Sequence, residues 1–514
     1  MLRWILTLTL LTGALAGAVP TQAQEADTIT IGFTDLPTSL DPADTNDFAA
    51  WEVLSHLYTG LARQVPGTLE YELALATDWT VSEDKLTHTF TLDETAAFSD
   101  GTPITAQTFV ESITRVQTIG RDGAEAVTPY IASVTASDDT TLIFTLKRPV
   151  PYFLGLVSLP PYFPQHPDLS AQEQVTPFME NGLIGNGPYL LALYDVGTEI
   201  RLEANPAYSP APATPNIVLR QFSKSANLRN ALAAHEIDVA WRALYLGHLE
   251  DLTELDGLQV IEQPSTRVFY MVMGQNREPT DDPLVRDAVI TLLDRDDAVE
   301  VSLRNHVTLL TSLLPELYPE AYYPVWPNRS NVELAESVLS EAGYSERGRF
   351  RLNITISFAR PVYGDPYTAA IGELGQSSFS FTDFIEYGIF SDIEASTFRR
   401  MLEDGDSQAI IFGWTPIVPH PDAYLYPLAH SDNPIPSRNR YNQAVIDQLI
   451  DKAAALDDAA KQGEIYMEVA DWLLEDDAVA PLWQDHLSLV AWNDIAGIQV
   501  EPNYFLHYDQ LVRQ

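Results

Sequence analysis

The chain has 514 residues and no cysteine, so two or three domains must be stabilised by burial rather than by disulfides. Its 72 acidic residues against 29 lysines and arginines give a net charge of −43, which argues against nucleic acid and anionic membranes as partners. This charge could favour cationic ligands, but a solvated acidic surface is the simpler interpretation.

The first 23 residues are typical of a cleaved secretory signal peptide. Arg3 supplies the positive start, residues 4–17 form a short apolar core, and residues 21–23 offer small side chains for cleavage near Gln24. The absence of cysteine excludes a lipid anchor on that residue. No later segment approaches the roughly 20 apolar residues of a membrane helix. We therefore expect a protein secreted to the periplasm that is not a lipoprotein.

Hydrophobic periodicity predicts alternating strands and helices along the mature chain. The predicted strands lie at 28–33, 79–82, 87–92, 142–146, 236–241, 268–273, 352–358, 410–412 and 486–492. The predicted helices lie at 51–61, 105–116, 228–235, 283–293, 332–342, 444–456 and 463–474. Residues 151–185 are rich in proline and aromatic residues and predict an irregular connection. The helix–strand alternation favours an α/β architecture with crossover units.

Residues 410–421 form a distinctive segment. An apolar run ends in Gly413-Trp414, and prolines follow at positions 416, 419 and 421. Gly413 predicts the close approach of another backbone, Trp414 offers a flat face, and the prolines fix the chain direction. The segment is either a core strand with a surface loop or a strand end that presents backbone groups to a ligand.

Several short blocks, in one order over nearly all of the mature chain, match motifs of a single family. They are Phe98-Ser99-Asp100-Gly101-Thr102-Pro103, Gly185-Asn186-Gly187-Pro188-Tyr189, Leu202-Glu203-Ala204-Asn205-Pro206, Glu236-Ile237-Asp238, Pro283-Leu284-Val285-Arg286 with Asp294-Arg295, and Gly413-Trp414 with Pro421. These blocks resemble the extracellular solute-binding proteins of family 5, the periplasmic receptors of oligopeptide, dipeptide and nickel ABC importers.

The resemblance implies a two-lobed α/β fold of the periplasmic binding protein type, with an extra β-rich subdomain inserted in the first lobe. Residues 1–23 would be the signal peptide. Residues 24–265 plus 490–514 would form the first lobe, with the insert at about 60–180, and residues 266–489 the second lobe. The lobes would close on a ligand by hinge motion at residues 268–274 and 487–492.

The same resemblance implies a receptor that captures a peptide or other small polar solute between its lobes and delivers it to an inner-membrane ABC permease complex. It implies a monomer that is not an enzyme, has no catalytic residues, and needs no cofactor or metal. The implied ligand-binding residues are Asp35, Leu36, Thr38, Ser39, Gly413, Trp414, Thr415, Pro416 and Ile417.

Two departures from the family pattern bear on the ligand. Peptide-binding members carry an aspartate three residues after the tryptophan, where it pairs with the peptide α-ammonium, but this chain has Ile417. Oligopeptide-binding members also resemble one another in an arginine two residues before the glycine, near the far end of the peptide, and this position is Ile411 here. Because isoleucine cannot neutralise an ammonium, a free-amine peptide held in the usual manner is not expected. Asp422 or Asp35 could substitute.

The alternative is a secreted acidic hydrolase of the glycosidase kind that uses a carboxylate pair across a cleft. With 72 acidic residues such pairs are unavoidable, and the chain lacks Gly-x-Ser-x-Gly, His-Glu-x-x-His and a phosphate-binding glycine loop. His420 with Asp422, and Asp485 with His486, could ligate a metal, although such pairs are more often hydrogen-bonded groups. Ten scattered histidines and no cysteine disfavour structural zinc.

Overall fold

The computed structural model describes residues 28–176, 182–208, 215–242, 244–327, 330–356, 366–391, 393, 395–433 and 440–514. The predicted signal peptide, residues 1–23, lies outside this part of the chain. Within it, every helix is too short or too polar to cross a membrane.

The secondary structure alternates between strands and helices, as predicted. The strands are β1 (Thr28–Phe33), β2 (Ala62–Gln64), β3 (Tyr71–Leu73), β4 (Ala76–Val81), β5 (Thr87–Leu92), β6 (Ile131–Ala136), β7 (Thr141–Leu146), β8 (Tyr189–Asp195), β9 (Glu199–Ala204), β10 (Asn216–Gln221), β11 (Val239–Trp241), β12 (Leu258–Met273), β13 (Val307–Leu309), β14 (Phe350–Ile356), β15 (Ile385–Phe390), β16 (Ala409–Trp414), β17 (Val479–Trp492), β18 (Ile495–Ala496) and β19 (Val512–Arg513). The helices are α1 (Phe48–Leu57), α2 (Ala106–Ile119), α3 (Phe153–Leu156), α4 (Pro167–Ser170), α5 (Ser225–Ala233), α6 (Leu246–Thr253), α7 (Pro283–Leu292), α8 (Arg295–Asp297), α9 (Val332–Glu341), α10 (Pro366–Phe379), α11 (Ala395–Asp404), α12 (Asp422–Ala429), α13 (Ala444–Ala454) and α14 (Ala459–Glu475).

One mixed sheet runs through both lobes in the order β15-β14-β16-β12-β17-β11-β1-β10-β9-β8, and β13 pairs with β17. The central strands β12 and β17 are antiparallel and span 16 and 14 residues. β11 pairs with one end of β17, whereas β16 pairs with the opposite half of β12. The two long strands therefore join the lobes, and the cleft lies beside them.

The predicted β-rich insert contains a separate antiparallel sheet in the order β4-β5-β7-β6. Helix α2 begins at its predicted cap, since the Thr105 side chain accepts from the Thr108 N–H. Gly101 has a φ of +88°, as the predicted Asp-Gly turn requires. The expected irregular connection over 151–185 contains the short helices α3 and α4.

Local capping explains where helices begin and end. Helix α7 has the predicted Asp282 cap and Pro283 at its first position, and Asp282 Oδ1 accepts from the Leu284 N–H at 2.9 Å. The predicted extension of the first helix to Leu61 is wrong. Helix α1 ends at Leu57 because Tyr58 is extended, with a φ of −127°.

The second lobe buries both faces of its central strand. Phe269, Met271 and Met273 enter one apolar cluster, while residues on the opposite face of β12, such as Tyr270 and Val272, enter another. This alternation follows from the two-residue period of a strand. It explains why residues 268–273 read as a continuous apolar run.

Candidate functional site

A cavity lies between the lobes, beside β12 and β17, with an empty volume of about 650 Å³ that includes open solvent. Trp241, Arg242 and Tyr245, which precede β12, line it together with Leu303, His306 and Tyr367, which follow β12. Ligand clefts typically combine apolar and aromatic walls with a few polar groups and often lie between domains. This cavity is therefore the candidate binding site.

Two histidines hold one carboxylate at the cavity wall. Glu262 of β12 accepts from His306 Nδ1 at 2.9 Å and from His486 Nδ1 at 3.2 Å. Burial acts to raise the pKa of Glu262, but the hydrogen bonds and charges of the histidines outweigh it and lower that pKa to about 2. The bond to Glu262 raises the pKa of His306. The cluster connects the second-lobe loop to both long strands.

A second cavity carboxylate, Asp485 of β17, is also satisfied. The hydroxyl of Tyr504 donates to Asp485 Oδ2 at 2.9 Å, and the hydroxyl of Tyr367 donates to Oδ1. Burial raises the pKa of Asp485, while the nearby charge of Arg267 acts against the rise. Tyr367 of α10 and Tyr504 of the C-terminal segment both line the cavity, so Asp485 joins these two parts of the chain.

A third carboxylate, Glu52 of α1, lies beneath the first-lobe wall and is fully buried. It accepts from Trp241 Nε1 and from the Leu506 N–H, both at 3.0 Å, and from the Tyr508 hydroxyl. Its carboxylate lies 3.6 Å from the guanidinium of Arg242. Glu52 thus fixes the end of β11 and the cavity residue that follows it.

Arg242 occupies a special backbone position at the end of β11. Its φ is +59°, a left-handed conformation that is uncommon for residues other than glycine. Its guanidinium lies 5.2 Å from the ring centroid of Phe33, the last residue of β1. Arg242 therefore links the cavity wall to the loop that follows β1.

Asp35, a predicted ligand contact, lies in that loop and is half-buried. Its Oδ1 atom is buried and has no hydrogen-bond partner among the described residues. Burial raises the pKa of Asp35 to about 6, opposed by the charge of Arg242 and supported by Glu52 and Asp47. Among the residues that the structure describes, none forms an ion pair with the Asp35 carboxylate within 4.0 Å.

The other predicted first-lobe contacts differ in accessibility. Thr38 is exposed, whereas Leu36 and Ser39 are buried. Ser39 Oγ accepts from the Asp41 N–H at 3.2 Å, which fixes the turn. Among these residues, Asp35 and Thr38 have side chains that a ligand could contact without repacking the loop.

Gly413 was expected to admit another backbone, and this is wrong. The atoms nearest to a Cβ added at Gly413 belong to the guanidinium of Arg267, with Nε at 2.6 Å. An irregular register in β12 between Pro264 and Val268 places this arginine over the glycine, where it also lies 4.9 Å from the Phe269 ring centroid. Gly413 therefore makes room for a side chain.

The second-lobe segment after β16 is anchored to the rest of the protein. Trp414, Thr415 and Ile417 are half-buried and Pro416 is buried, while Trp414 Nε1 donates to the Ala423 carbonyl at 2.9 Å. Ile417 packs against the first-lobe core. None of the nine predicted contacts lines the cavity as described, so they stay predictions about a wider cleft.

The segment also makes direct interlobe contacts. Val418 is fully buried in the first-lobe core, where a Cβ on Gly155 would lie 2.4 Å from its Cγ1. Asp422 Oδ2 pairs with Arg148 at 3.0 Å, and the guanidinium lies 3.7 Å from the Tyr426 ring centroid. Asp422 has no exposed surface, and burial raises its pKa.

The suspected metal pairs do not converge. Across the described residues, no group of three or more His, Cys, Asp or Glu side chains is placed to hold a metal ion. His420 packs against the Tyr152 ring at a centroid distance of 5.5 Å, and burial lowers its pKa to about 4.

Sequence reasoning missed Arg242, Arg267 and the Glu262–His306 pair. The two arginines had one usable signal, because each is a basic residue beside an apolar strand in a strongly acidic chain. The Glu262–His306 pair has no such signal, since the two residues are 44 positions apart and meet only through the fold.

Comparison with known proteins places these features in a family. The model of the bacterial extracellular solute-binding proteins, family 5 Middle, matches residues 70–435. The probable D,D-dipeptide-binding periplasmic protein DdpA of Escherichia coli K12 is 26% identical over 495 residues, covering 93% of this chain and 92% of that protein. The glutathione-binding protein GsiB of the same strain is 24% identical over 489 residues, covering 91% and 90%.

Solved structures share the fold. HbpA2 from Haemophilus parasuis superposes with a TM-score of 0.82 at 22% identity, covering 95% of this chain and all of that one. DppA from Helicobacter pylori, an ABC transporter-associated periplasmic binding protein in complex with the peptide STSA, superposes with a TM-score of 0.77 at 21% identity, covering 95% and 98%.

The predicted two-lobed α/β fold and the solute-binding role are confirmed, and the hydrolase alternative finds no support, because the family and the relatives are binding proteins. The chain belongs to the bacterial extracellular solute-binding proteins of family 5.

Proposed function

We propose that this protein captures a peptide in the interlobe cavity and presents it to the permease of an ABC importer. The observation that carries the proposal is the cavity itself, since both lobes and both long strands contribute to its wall. A ligand enclosed in this way favours the closed arrangement through its higher affinity for that state. The peptide ligands of the relatives agree with this choice.

The wider cleft belongs to the same proposal. The loop at Asp35, Leu36, Thr38 and Ser39 would contact the ligand from the first lobe, and residues 413–417 from the second. The lobe boundaries near 265 and 489 and the hinge within β12 and β17 are part of it. The proposal also includes a monomeric state, a periplasmic location after cleavage near Gln24, and the absence of a lipid anchor.

The experiment incubates the mature protein with a pool of di- to tetrapeptides, separates protein from free peptide by gel filtration, and identifies retained species by mass spectrometry. We expect intact peptides to be retained, at one per chain, with a smaller radius of gyration in small-angle X-ray scattering. Retention of no peptide, or recovery of cleaved products only, would contradict the proposal.

A cavity-filling variant tests the location. Ser488 lines the cavity and is half-buried, so Ser488→Trp should fill the space and abolish retention. Ser340→Trp, on an exposed position of α9, is the matched control and should retain peptide as the parent does. Equal retention by both variants would place the ligand elsewhere.

A further inference from the structure

We infer that the carboxylate of Asp35 receives an organic cation of the ligand, an ammonium or guanidinium group, so that the ligand's positive end is held by the first lobe. This inference rests on the proposed function. It assigns the role that Ile417 cannot fill in the second lobe to a residue on the opposite side of the cleft.

The neighbouring carboxylates already have partners. Glu52 has three donors and Arg242, Glu262 has two histidines, and Asp485 has two tyrosine hydroxyls. Asp422 pairs with Arg148 and has no exposed surface. A ligand cation would have to displace protein donors from each of these groups.

Asp422 Oδ1 also lacks a hydrogen-bond partner, but the other oxygen of Asp422 pairs with Arg148 and the residue has no exposed surface. Asp35 combines an oxygen without a partner with partial exposure. Its Oδ1 atom is buried without a hydrogen-bond partner, and its side chain forms no ion pair within 4.0 Å in the described part of the chain. A buried carboxylate oxygen without a donor is costly, and an arriving ammonium would supply the missing charge and hydrogen bond. The residue as a whole is half-buried, so part of it remains accessible to solvent.

Asp35 follows Phe33 by two residues, and the Phe33 ring centroid lies 5.2 Å from the guanidinium of Arg242, which lines the cavity. Three other groups interact with Asp35 electrostatically: Glu52 and Asp47 of the α1 region and Tyr508 of the C-terminal segment. Burial raises the pKa of Tyr508 well above its usual value, so it stays neutral near pH 7. Burial raises the pKa of Asp35 itself to about 6.

The test uses three peptide pools: free-amine peptides without lysine or arginine, N-acetylated peptides containing lysine, and N-acetylated peptides without lysine or arginine. We expect the protein to retain the first or second pool and to retain the third about 10- to 100-fold less. The first two pools distinguish an α-amine from a side-chain cation. Equal retention of all three would overturn the inference and leave the proposed function standing; retention of none would overturn both.

Asp35→Asn should reduce retention of the cationic pools to the level of the uncharged one. Asp44→Asn removes the same charge from a nearby position whose ion pair is with Arg121, and it should change nothing. A pH series adds a readout that a structural defect would not reproduce. The parent's affinity should fall as the pH drops below about 6, where Asp35 takes up a proton. The same slope in Asp35→Asn would contradict the assignment.

Discussion

The loop after β1 carries Asp35, and the segment after β16 leads to Asp422 at the start of α12; either aspartate could replace the missing family residue. Asp422 is fully buried, and one of its oxygens pairs with Arg148 at 3.0 Å. Its other oxygen lacks a partner but is sealed from solvent. Asp35 is half-buried, and its Oδ1 atom has no hydrogen-bond partner in the described part of the chain. Asp422 therefore has a structural role in its pair with Arg148, whereas Asp35 is available to bind a ligand.

The comparison also explains the departure at Ile417. Ile417 packs against the first-lobe core, and its neighbour Val418 is part of that core. A carboxylate at position 417 would enter apolar surroundings, where a charge is costly. At the position where the family resemblance implies a carboxylate, this chain therefore packs an apolar side chain.

The largest effect is expected from a substitution that removes the Arg148–Asp422 ion pair. Arg148→Met leaves Asp422 buried without its counter-charge, so the free energy of unfolding should fall by about 3–5 kcal/mol. Arg63→Met is the control, since its pair with Glu72 is half exposed and contributes about 0–1 kcal/mol. Chemical denaturation measures both. Similar losses in the two variants would show that the Arg148–Asp422 pair has no special role.

At Asp35 we expect the opposite effect on stability, an increase in the free energy of unfolding when the charge is removed. Its folded pKa lies above the ordinary value, so the ionised carboxylate destabilises the folded state at neutral pH, and this cost disappears as the pH falls below the ordinary pKa. Asp35→Asn should therefore raise the free energy of unfolding at pH 7.5 by about 1–3 kcal/mol. A loss of stability at pH 7.5 would mean that Asp35 has a structural role.

The smallest effect on the free energy of unfolding is expected at Glu262, a cavity carboxylate that already accepts hydrogen bonds from two histidines. The raised pKa of His306 gives stability that is complete below 6.5 and is lost as the pH rises through the folded value. The lowered pKa of Glu262 gives stability above 4.5 that is lost as the pH falls toward 2. Glu262→Gln should thus cost about 1 kcal/mol at pH 5.5 and less at pH 8.5. An equal cost at both values would contradict this pairing.

The sequence predicted features that depend on neighbours along the chain. The Asp282 cap, the strand before Gly413 and the Asp100-Gly101 turn all appear, because capping, alternation and turn chemistry are local. The family motifs predicted the fold and the solute-binding role. The end of α1 at Leu57 was missed, since the extended Tyr58 breaks an apolar pattern that continues to Leu61.

The site was predictable only in outline. Arg148 and Asp422 are 274 residues apart, and no local pattern pairs them. The position of Arg267 over Gly413 depends on an irregular register in β12, which hydrophobic alternation does not reveal. The difference between Asp35 and Asp422 is likewise a matter of tertiary partners rather than of residue type.

A crystal structure of the protein with a peptide from the retained pool tests the central claim most directly. The account predicts a peptide in the interlobe cavity with its cationic nitrogen at hydrogen-bond distance, about 2.7–3.2 Å, from the carboxylate of Asp35. A peptide whose cationic group lies against residues 413–417 or another carboxylate, with Asp35 unengaged, would contradict it.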